Sequence, residues 1–370
     1  MRRRRGAFAC CAIGCSVLYV HSPSSSNAMG RFLSTENGSR KDAPNKRRPL
    51  LKLLAGGGRL GDQLFMYASQ LGLAKTHGMD SCIVKTHGWM DGRLAIEKLF
   101  VGPIEWCDDD TYDIEWVGGW RNEKISQLRR VDDDADLVYG LSGYMHSPQN
   151  FVSAKTPNGE FVDYSDLLYE KLTLRADAKW QNAIEKIMKE GERYEDESTQ
   201  VIPVGIHVQR GDKVDNPHYA VADADYYQRA MDYLRTKYNR DCESRAETDE
   251  CQRKRVKFYI STDTISWIDE NEETFWKQPD VVEFRQRRKG DGQNIIIDFA
   301  MLTKCKHIIL SGGGFGFWAA FLGAHQNGGE VIIGSAQEPP KTRLHHVASL
   351  DEWTNIDELN FDAEDTAAIE

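Results

Sequence analysis

The sequence has no strongly hydrophobic run long enough for an ordinary membrane span, no excess of basic residues and no cysteine or histidine spacing typical of zinc. An apolar run of about fifteen residues, 6–20, is short beside the roughly 20 residues that a span needs. The formal net charge is -10, which argues against nucleic acid as a partner. No internal repeat or heptad pattern occurs, so a solenoid or a coiled coil is disfavoured.

Four arginines precede the short apolar run, and this order predicts single-pass type II topology with the body in the secretory lumen. We assign residues 1–21 to a cytoplasmic tail and signal-anchor. A cleaved secretory signal and a disordered basic tail are the alternatives. Residues 22–49 are polar and predict a solvated stem, which carries a glycosylation sequon at Asn37.

Five of the eight cysteines follow the apolar run and would lie in the lumen. Cys242 and Cys251 flank a charged segment of the kind that secreted proteins close with a disulfide, so we predict that they pair. Cys82, Cys107 and Cys305 have apolar neighbours and are predicted to be buried.

Unbroken apolar runs that alternate with helical stretches indicate an α/β protein with parallel sheets covered on both faces. The runs divide into an amino-terminal, acceptor-side lobe at 50–199 and a carboxyl-terminal, nucleotide-binding lobe at 200–345. An acidic tail follows at 346–370. Residues 89–177 show little periodicity, and we predict irregular structure there that shapes the substrate site. The predicted strands are 49–55, 82–85, 201–208, 257–261 and 307–310.

Open parallel sheets bind ligands beyond the carboxyl ends of their strands. Glycines follow the first strand as GGGRLGDQ, which fits G-x-G-x-x-G, but the next strand does not end in the acid that would hold a dinucleotide ribose. A hydride-transferring enzyme is therefore disfavoured, and these glycines indicate either a tight turn or a close approach of the backbone to a ligand.

Two other strand ends predict binding of a diphosphate. Arg210 follows the strand 201–208, where a guanidinium can contact phosphate oxygens, and Asp212 could orient it. An ordinary salt bridge between the lobes is the alternative for this pair. The glycine turn 311–316 precedes a helix, whose unpaired N–H groups favour an anion.

Five blocks of the sequence resemble glycosyltransferase family 11, the α1,2-fucosyltransferases, in order and spacing. The resemblance covers about residues 51–333 and is greatest to the animal Golgi members. It implies a GT-B fold, in which two Rossmann-like lobes with parallel sheets face a cleft, and a catalytic body in the lumen, anchored to the Golgi membrane. The blocks are RLGDQLFMYASQLGLAK, VGIHVQRGDKV, YYQRAMDYL, FYISTDTISWI and DFAMLTKCKHIILSGGGFGFWAAFLG.

The resemblance further implies inverting transfer of L-fucose from GDP-fucose to the 2-hydroxyl of a terminal galactose, or a similar sugar, on a glycoprotein or glycolipid. No cofactor and no metal are expected. One alternative is a non-catalytic relative that keeps the fold and binds a GDP-sugar or a glycan. Another is an enzyme that uses a different nucleotide sugar or fucosylates protein hydroxyls.

The resemblance assigns roles to several residues. Arg210 matches the basic residue that stabilises the leaving diphosphate, Asp298 holds the guanine edge, and His207 supports the nucleotide from the strand end. Asp263 is predicted to shape the pocket. The remaining predicted substrate-binding residues are Gln209, Asp212, Ser311, Gly312, Gly313, Gly314 and Phe315.

Three positions depart from the common family pattern. Gln209 stands in place of the first arginine of H-x-R-R-x-D, Asp62 in place of the asparagine of G-N-Q, and Gly314 in place of Ser or Thr. Each change removes a donor, and one lost charge-assisted hydrogen bond costs roughly 1.5 to 3 kcal/mol. Backbone N–H groups could compensate for one such loss.

Asp62 is predicted to be the general base that an inverting transfer needs, because its loop is expected to face the donor sugar. The alternative is a carboxylate that caps the following helix. The acidic triplets at 108–110 and 132–134 resemble a D-x-D metal site but follow no clear strand, so we predict solvated loops. Aromatic residues that could stack on an acceptor sugar, or pack in the core, are Trp89, Trp106, Trp116 and Trp120.

Overall fold

The structure is a computed structural model, in which Lys46–Glu370 form one compact unit. The predicted anchor, the stem and Asn37 lie outside the described residues, as do both acidic triplets, Cys242 and Cys251. Among the described residues, no helix combines the length and the apolar character needed to cross a membrane. The described residues are 48–53, 58–84, 96–102, 104–107, 115–117, 138–141, 147–176, 179–193, 195–215, 221–241, 252–282, 293–334 and 350–359.

The first sheet has five parallel strands in the order β3-β2-β1-β5-β4. Helix α1, Leu60–His77, joins β1 to β2 and is rich in good helix formers such as Leu, Ala and Gln. It ends at Gly78, whose φ of 66° closes the last turn in the left-handed region. The strands are β1 (Leu50–Leu53), β2 (Asp80–Val84), β3 (Trp106–Cys107), β4 (Glu115–Val117) and β5 (Val138–Leu141).

The prediction of irregular structure at 89–177 is wrong in part, because this segment supplies β3, β4 and β5. Strand β5 pairs directly with β1, with Leu53 opposite Leu141. These three strands have only two to four residues each, too few to show a hydrophobic period. The same region also contains an antiparallel hairpin of β6 (Ala154–Lys155) and β7 (Phe161–Val162), followed by helix α2 (Ser165–Lys171).

Cys82 and Cys107 form a disulfide between β2 and β3, with their Cα atoms 5.7 Å apart. The sequence predicted burial for both and did not predict this pairing. Burial holds for Cys82, whereas Cys107 is only half-buried. The apolar neighbours that suggested burial belong to strands β2 and β3, which are adjacent in the sheet and carry the two cysteines. Cys305 is buried and unpaired.

The second sheet has six parallel strands in the order β10-β9-β8-β11-β12-β13. Its central strands β8 and β11 are almost wholly buried, since helices cover both faces, and this explains their continuous apolar sequence. Helix α3 (Gln181–Glu192) precedes the sheet. The strands are β8 (Gln200–Val208), β9 (Lys254–Thr262), β10 (Val281–Val282), β11 (His307–Leu310), β12 (Val331–Ile333) and β13 (Thr354–Asn355).

The predicted α/β class with two parallel sheets is confirmed. The expected acidic tail includes β13, which pairs with β12 and extends the second sheet. The expected helix after β11 begins at Gly313 rather than at Phe315, and it continues into a π-helical turn, Phe321–His325. The helices of this part are α4 (Ala224–Tyr238), α5 (Ile265–Glu270), α6 (Gln293–Lys304) and α7 (Gly313–Ala320).

Helices α1 and α7 connect the two sheets through an aromatic core. The ring of Phe65 on α1 lies 4.8 Å from Phe317 and 5.2 Å from Trp318 on α7. Trp318 also stacks on Phe151 at 5.4 Å. All four side chains are at most 1% exposed, and α7 is fully buried from Gly316 onward, whereas its first three residues are half-buried.

Candidate active site

The carboxyl ends of β8 and β11 are joined side by side at His207 and Ser311. Ser311 donates its backbone N–H to the His207 carbonyl at 3.1 Å. Its hydroxyl accepts from the Gln209 backbone N–H at 2.8 Å and lies 3.3 Å from His207 Nδ1. The strand ends that were predicted to carry the site therefore form one edge.

His207 is a buried, neutral side chain within this edge. Burial lowers the pKa of its imidazole to about 3, and the nearby charge of Lys213 acts in the same direction. Its ring stacks on Phe315 at 5.5 Å, and a Cβ at Gly316 would lie 2.5 Å from Nδ1. This packing suits a residue that supports the strand end and is itself shielded from a ligand.

Asp263, at the end of β9, fixes the turn that carries Arg210. Its Oδ1 accepts from the backbone N–H groups of Arg210 and Gly211, at 2.9 and 3.1 Å. It also accepts from the Thr264 hydroxyl at 3.0 Å. Asp263 therefore positions the loop after β8, a more specific task than the pocket shaping that the sequence predicted.

The guanidinium of Arg210 is held on two sides. Nη1 donates to the Ala222 carbonyl at 2.6 Å, and the guanidinium carbon lies 4.2 Å above the Trp267 ring. Among the described residues, Nε and Nη2 are the groups that remain for a ligand. Its contact with a diphosphate stays a prediction.

The predicted orientation of Arg210 by Asp212 is not seen among the contacts of the described residues. Asp212 accepts instead from Arg59 Nη2 at 2.9 Å, and both side chains are more than 60% exposed. Arg59 lies between β1 and α1, and Asp212 lies in the turn after β8. This ion pair therefore joins a loop of the first sheet to a loop of the second. Such an exposed pair contributes little to stability, typically about 0–1 kcal/mol.

The amino termini of α1 and α7 touch at two glycines. A Cβ on Gly61 would lie 2.4 Å from both the Gly314 carbonyl carbon and the Phe315 nitrogen. Gly312 and Gly313 precede this contact with φ of 86° and 84°, which glycine adopts without strain. The first turns of two helices therefore meet beside the strand edge, where the helix dipoles favour negative charge.

Replacing Gly61 with alanine should destabilise the protein by about 1–3 kcal/mol, because the added methyl group overlaps backbone atoms that cannot rotate away. Urea unfolding of the purified protein measures the change. Gly314→Ala is the matched control, since its Cβ would come no closer than 3.2 Å to Gly61. Equal losses in the two variants would contradict the predicted tight contact.

Asp62 caps the start of α1. Its Oδ2 accepts from the Arg59 backbone N–H at 2.8 Å, as the acidic residue of a capping box does. The N-cap position itself is occupied by Arg59, so the predicted alternative, in which Asp62 is the N-cap, is wrong in position. The side chain is half-buried. Capping and proton transfer are compatible, because a carboxylate has a second oxygen.

Lys213 is the site residue that the sequence missed. It is only 7% exposed, and a Cβ on Gly313 would lie 2.7 Å from its Nζ and 2.4 Å from Gln209 Oε1. Burial lowers the pKa of its ammonium to about 8. No sequence pattern marks this position, because lysine after a polar loop is ordinarily exposed.

Of the remaining predicted residues, Trp89 and Trp120 lie outside the described residues and Trp116 lies on β4. Asp298 is half-buried on α6, and its contact with a guanine edge stays a prediction. Trp106 is partly buried against the core, on β3. Within the described residues, no three His, Cys, Asp or Glu side chains gather as a metal site would require.

Residues 163–357 match the family described as Glycosyl transferase family 11, and this segment covers more than half of the chain. The chain belongs to glycosyl transferase family 11. The family resemblance predicted from the five blocks is therefore confirmed, and the expected transferase class with it.

Curated relatives of this family 11 transferase come from several mammals. Galactoside alpha-(1,2)-fucosyltransferase 1 of Bos taurus is 32% identical over 316 residues, which is 81% of this chain and 74% of that protein. The Mus musculus protein of the same name is 26% identical over 347 residues, 88% of this chain and 78% of its own. Fucosyltransferase NodZ from Bradyrhizobium has a similar solved structure, with a TM-score of 0.42, 16% identity, and coverage of 75% of this chain and 94% of that chain.

Proposed function

We propose that this family 11 transferase moves L-fucose from GDP-fucose to the 2-hydroxyl of a terminal galactose on a glycan, with inversion at the anomeric carbon. One observation carries the proposal: the amino termini of α1 and α7 meet at Gly61 and Gly314, at the edge where β8 and β11 end. Ligands of open parallel sheets bind at this edge.

The geometry supports a diphosphate as the bound group. Backbone N–H groups at the start of a helix point toward an anion, and the helix dipole favours negative charge there. Arg210 follows β8 at the same edge and keeps two donor groups in addition to its bond to Ala222. A departing GDP gains charge as the glycosidic bond breaks, so fixed donors at this place lower the barrier without requiring a metal ion.

The relatives support the acceptor and the linkage, because the mammalian proteins are named galactoside alpha-(1,2)-fucosyltransferases. For inversion, a base must remove the proton of the attacking 2-hydroxyl. We assign this task to Asp62, whose carboxylate lies at the first turn of α1. The guanine is assigned to Asp298 on α6.

We further propose that the body lies in the Golgi lumen, behind a type II anchor at residues 1–21. The Cys82–Cys107 disulfide supports a secretory compartment, since stable disulfides are rare in the cytosol. Protease treatment of intact Golgi vesicles tests the topology. Digestion of the body without added detergent would contradict it.

The decisive experiment is transfer from GDP-fucose to a panel of β-galactosides and core glycans, with the linkage determined by NMR. We expect an α1,2-linked product on terminal galactose. Transfer to another hydroxyl or to protein would overturn the proposed acceptor, and transfer from another nucleotide sugar would overturn the donor.

A non-catalytic relative is the second candidate, and the three departures from the family pattern favour it. Gln209 lacks the charge of the arginine that it replaces, and its buried Oε1 has no hydrogen-bond partner among the described residues. Calorimetry with GDP beside the transfer assay separates the two candidates. Binding of GDP without transfer to any acceptor would establish the non-catalytic one.

A further inference from the structure

A buried ammonium group lies against the glycine turn at the start of α7. Lys213 ends a short 3-10 turn, Gly211–Lys213, which its own backbone N–H closes by donating to the Arg210 carbonyl at 2.8 Å. The turn follows β8, and Lys213 Nζ lies beside Gly313. The side chains of Lys213 and Gln209 therefore both reach the glycine turn at Gly313.

Gly313 is what permits this approach. A side chain there would begin 2.7 Å from Lys213 Nζ and 2.4 Å from Gln209 Oε1, so even a methyl group would displace one of them. The φ of 84° at Gly313 also disfavours any residue with a Cβ. The backbone of the turn and the ammonium therefore form one surface.

Several charged side chains surround the ammonium of Lys213. The charged groups that act on it are the carboxylates of Asp212, Asp263 and Asp62 and the guanidinium of Arg59. His207, on β8, is neutral and contributes no charge. A diphosphate at the turn would add negative charge beside the ammonium and accept a charge-assisted hydrogen bond from it.

We propose that Lys213 is a second cation that, together with Arg210, binds the diphosphate of the donor at the Gly312–Gly314 turn, in place of the charge that Gln209 lacks. The inference rests on the proposed function, because it takes GDP-fucose as the donor. It explains how this chain retains a second positive charge at the turn when position 209 is uncharged. In this proposal the ammonium that contacts the phosphates belongs to Lys213, four residues after Gln209 in the sequence.

The first test compares Lys213→Met with the wild-type protein by calorimetry, using GDP and guanosine as the two ligands. Methionine keeps the length of the buried stem and removes the charge. We expect GDP to bind about ten- to hundredfold more weakly, as the loss of a charge-assisted hydrogen bond implies, and guanosine to bind equally. Lys304→Met, at an exposed position on α6, is the matched control.

Two outcomes of this test are separable. If the wild-type protein does not bind GDP, the proposed function fails. If it does, and Lys213→Met binds GDP equally well or loses guanosine to the same extent, the inference about Lys213 is wrong. Urea unfolding of each variant shows whether it is folded.

A rescue experiment distinguishes a charge effect from a packing effect. Adding Gln209→Arg to Lys213→Met returns a cation to the turn from the neighbouring position, as in the common family pattern. We expect most of the lost GDP affinity to return. A double variant that binds GDP no better than Lys213→Met would contradict the proposal that either position can supply the cation at the turn.

The pH dependence gives an independent measurement. With a pKa of about 8 in the free protein, Lys213 is charged at pH 7 and mostly neutral at pH 9. GDP binds the charged form, so its affinity should fall by about tenfold between these pH values. Lys213→Arg stays charged and should remove the fall; an equal fall in this variant would overturn the assignment.

Discussion

Replacing Asp62 with asparagine is expected to lower kcat by about 10²- to 10⁴-fold, the usual contribution of general-base catalysis, while GDP binds as in the wild-type protein. The amide cannot take the proton of the acceptor hydroxyl. It can still accept the hydrogen bond from the Arg59 backbone N–H that Asp62 accepts at 2.8 Å. The start of α1, and with it the donor site, therefore stays in place.

The asparagine variant separates the two roles of Asp62 because it removes only one of them. Asp62→Ala is the companion variant, since it removes both the base and the cap, and should cost about 1 kcal/mol of stability in addition to the activity. Steady-state transfer assays and urea unfolding of both variants give the comparison. An asparagine variant with wild-type kcat would leave Asp62 a capping residue and require another base.

The main strands could be predicted from the sequence because burial on both faces leaves a continuous apolar run. His307–Leu310 lies where it was expected, and the other strands of that kind differ by only a few residues at their ends. Strand β5 could not be found in this way. Its four residues, VYGL, form a strand because they pair with β1, which is distant in sequence.

The sequence predicted which strand ends lie together, but it did not predict which side chains contact each other there. The ends of β8, β9 and β11 do form one edge, as parallel strands dictate. Which side chain meets which depends on turns that sequence patterns do not encode. Thus Asp212 pairs with Arg59, whereas Asp263 fixes the loop of Arg210.

Lys213 illustrates the same limit. Its position within VGIHVQRGDKV was visible, but its burial follows from the 3-10 turn and from the missing side chain of Gly313. A charged residue is informative once its exposure is known, because buried ammonium groups are rare in proteins. Gln209 and Lys213 both lie beside Gly313, and this arrangement is the basis for proposing that one position supplies the charge that the other lacks.

Removing the Cys82–Cys107 bridge should lower the free energy of unfolding by roughly 3 kcal/mol. The two cysteines are 25 residues apart, and releasing a loop of this length raises the entropy of the unfolded chain by about this amount. Strand β3 has only two residues and lies at the edge of its sheet, so few backbone hydrogen bonds hold it when the bridge is absent. The double variant Cys82→Ser, Cys107→Ser, unfolded in urea, measures the loss.

Reductant provides the control for the double variant. Reduced wild-type protein should reach the stability of the double variant, and the double variant should not respond to reductant if this bridge is the only one that contributes. A further loss in the double variant would indicate a second bridge, for which Cys242 and Cys251 are the predicted pair. Equal stability of oxidised wild type and double variant would mean that the β2–β3 pairing itself, with Val84 opposite Cys107, holds the edge strand without covalent help.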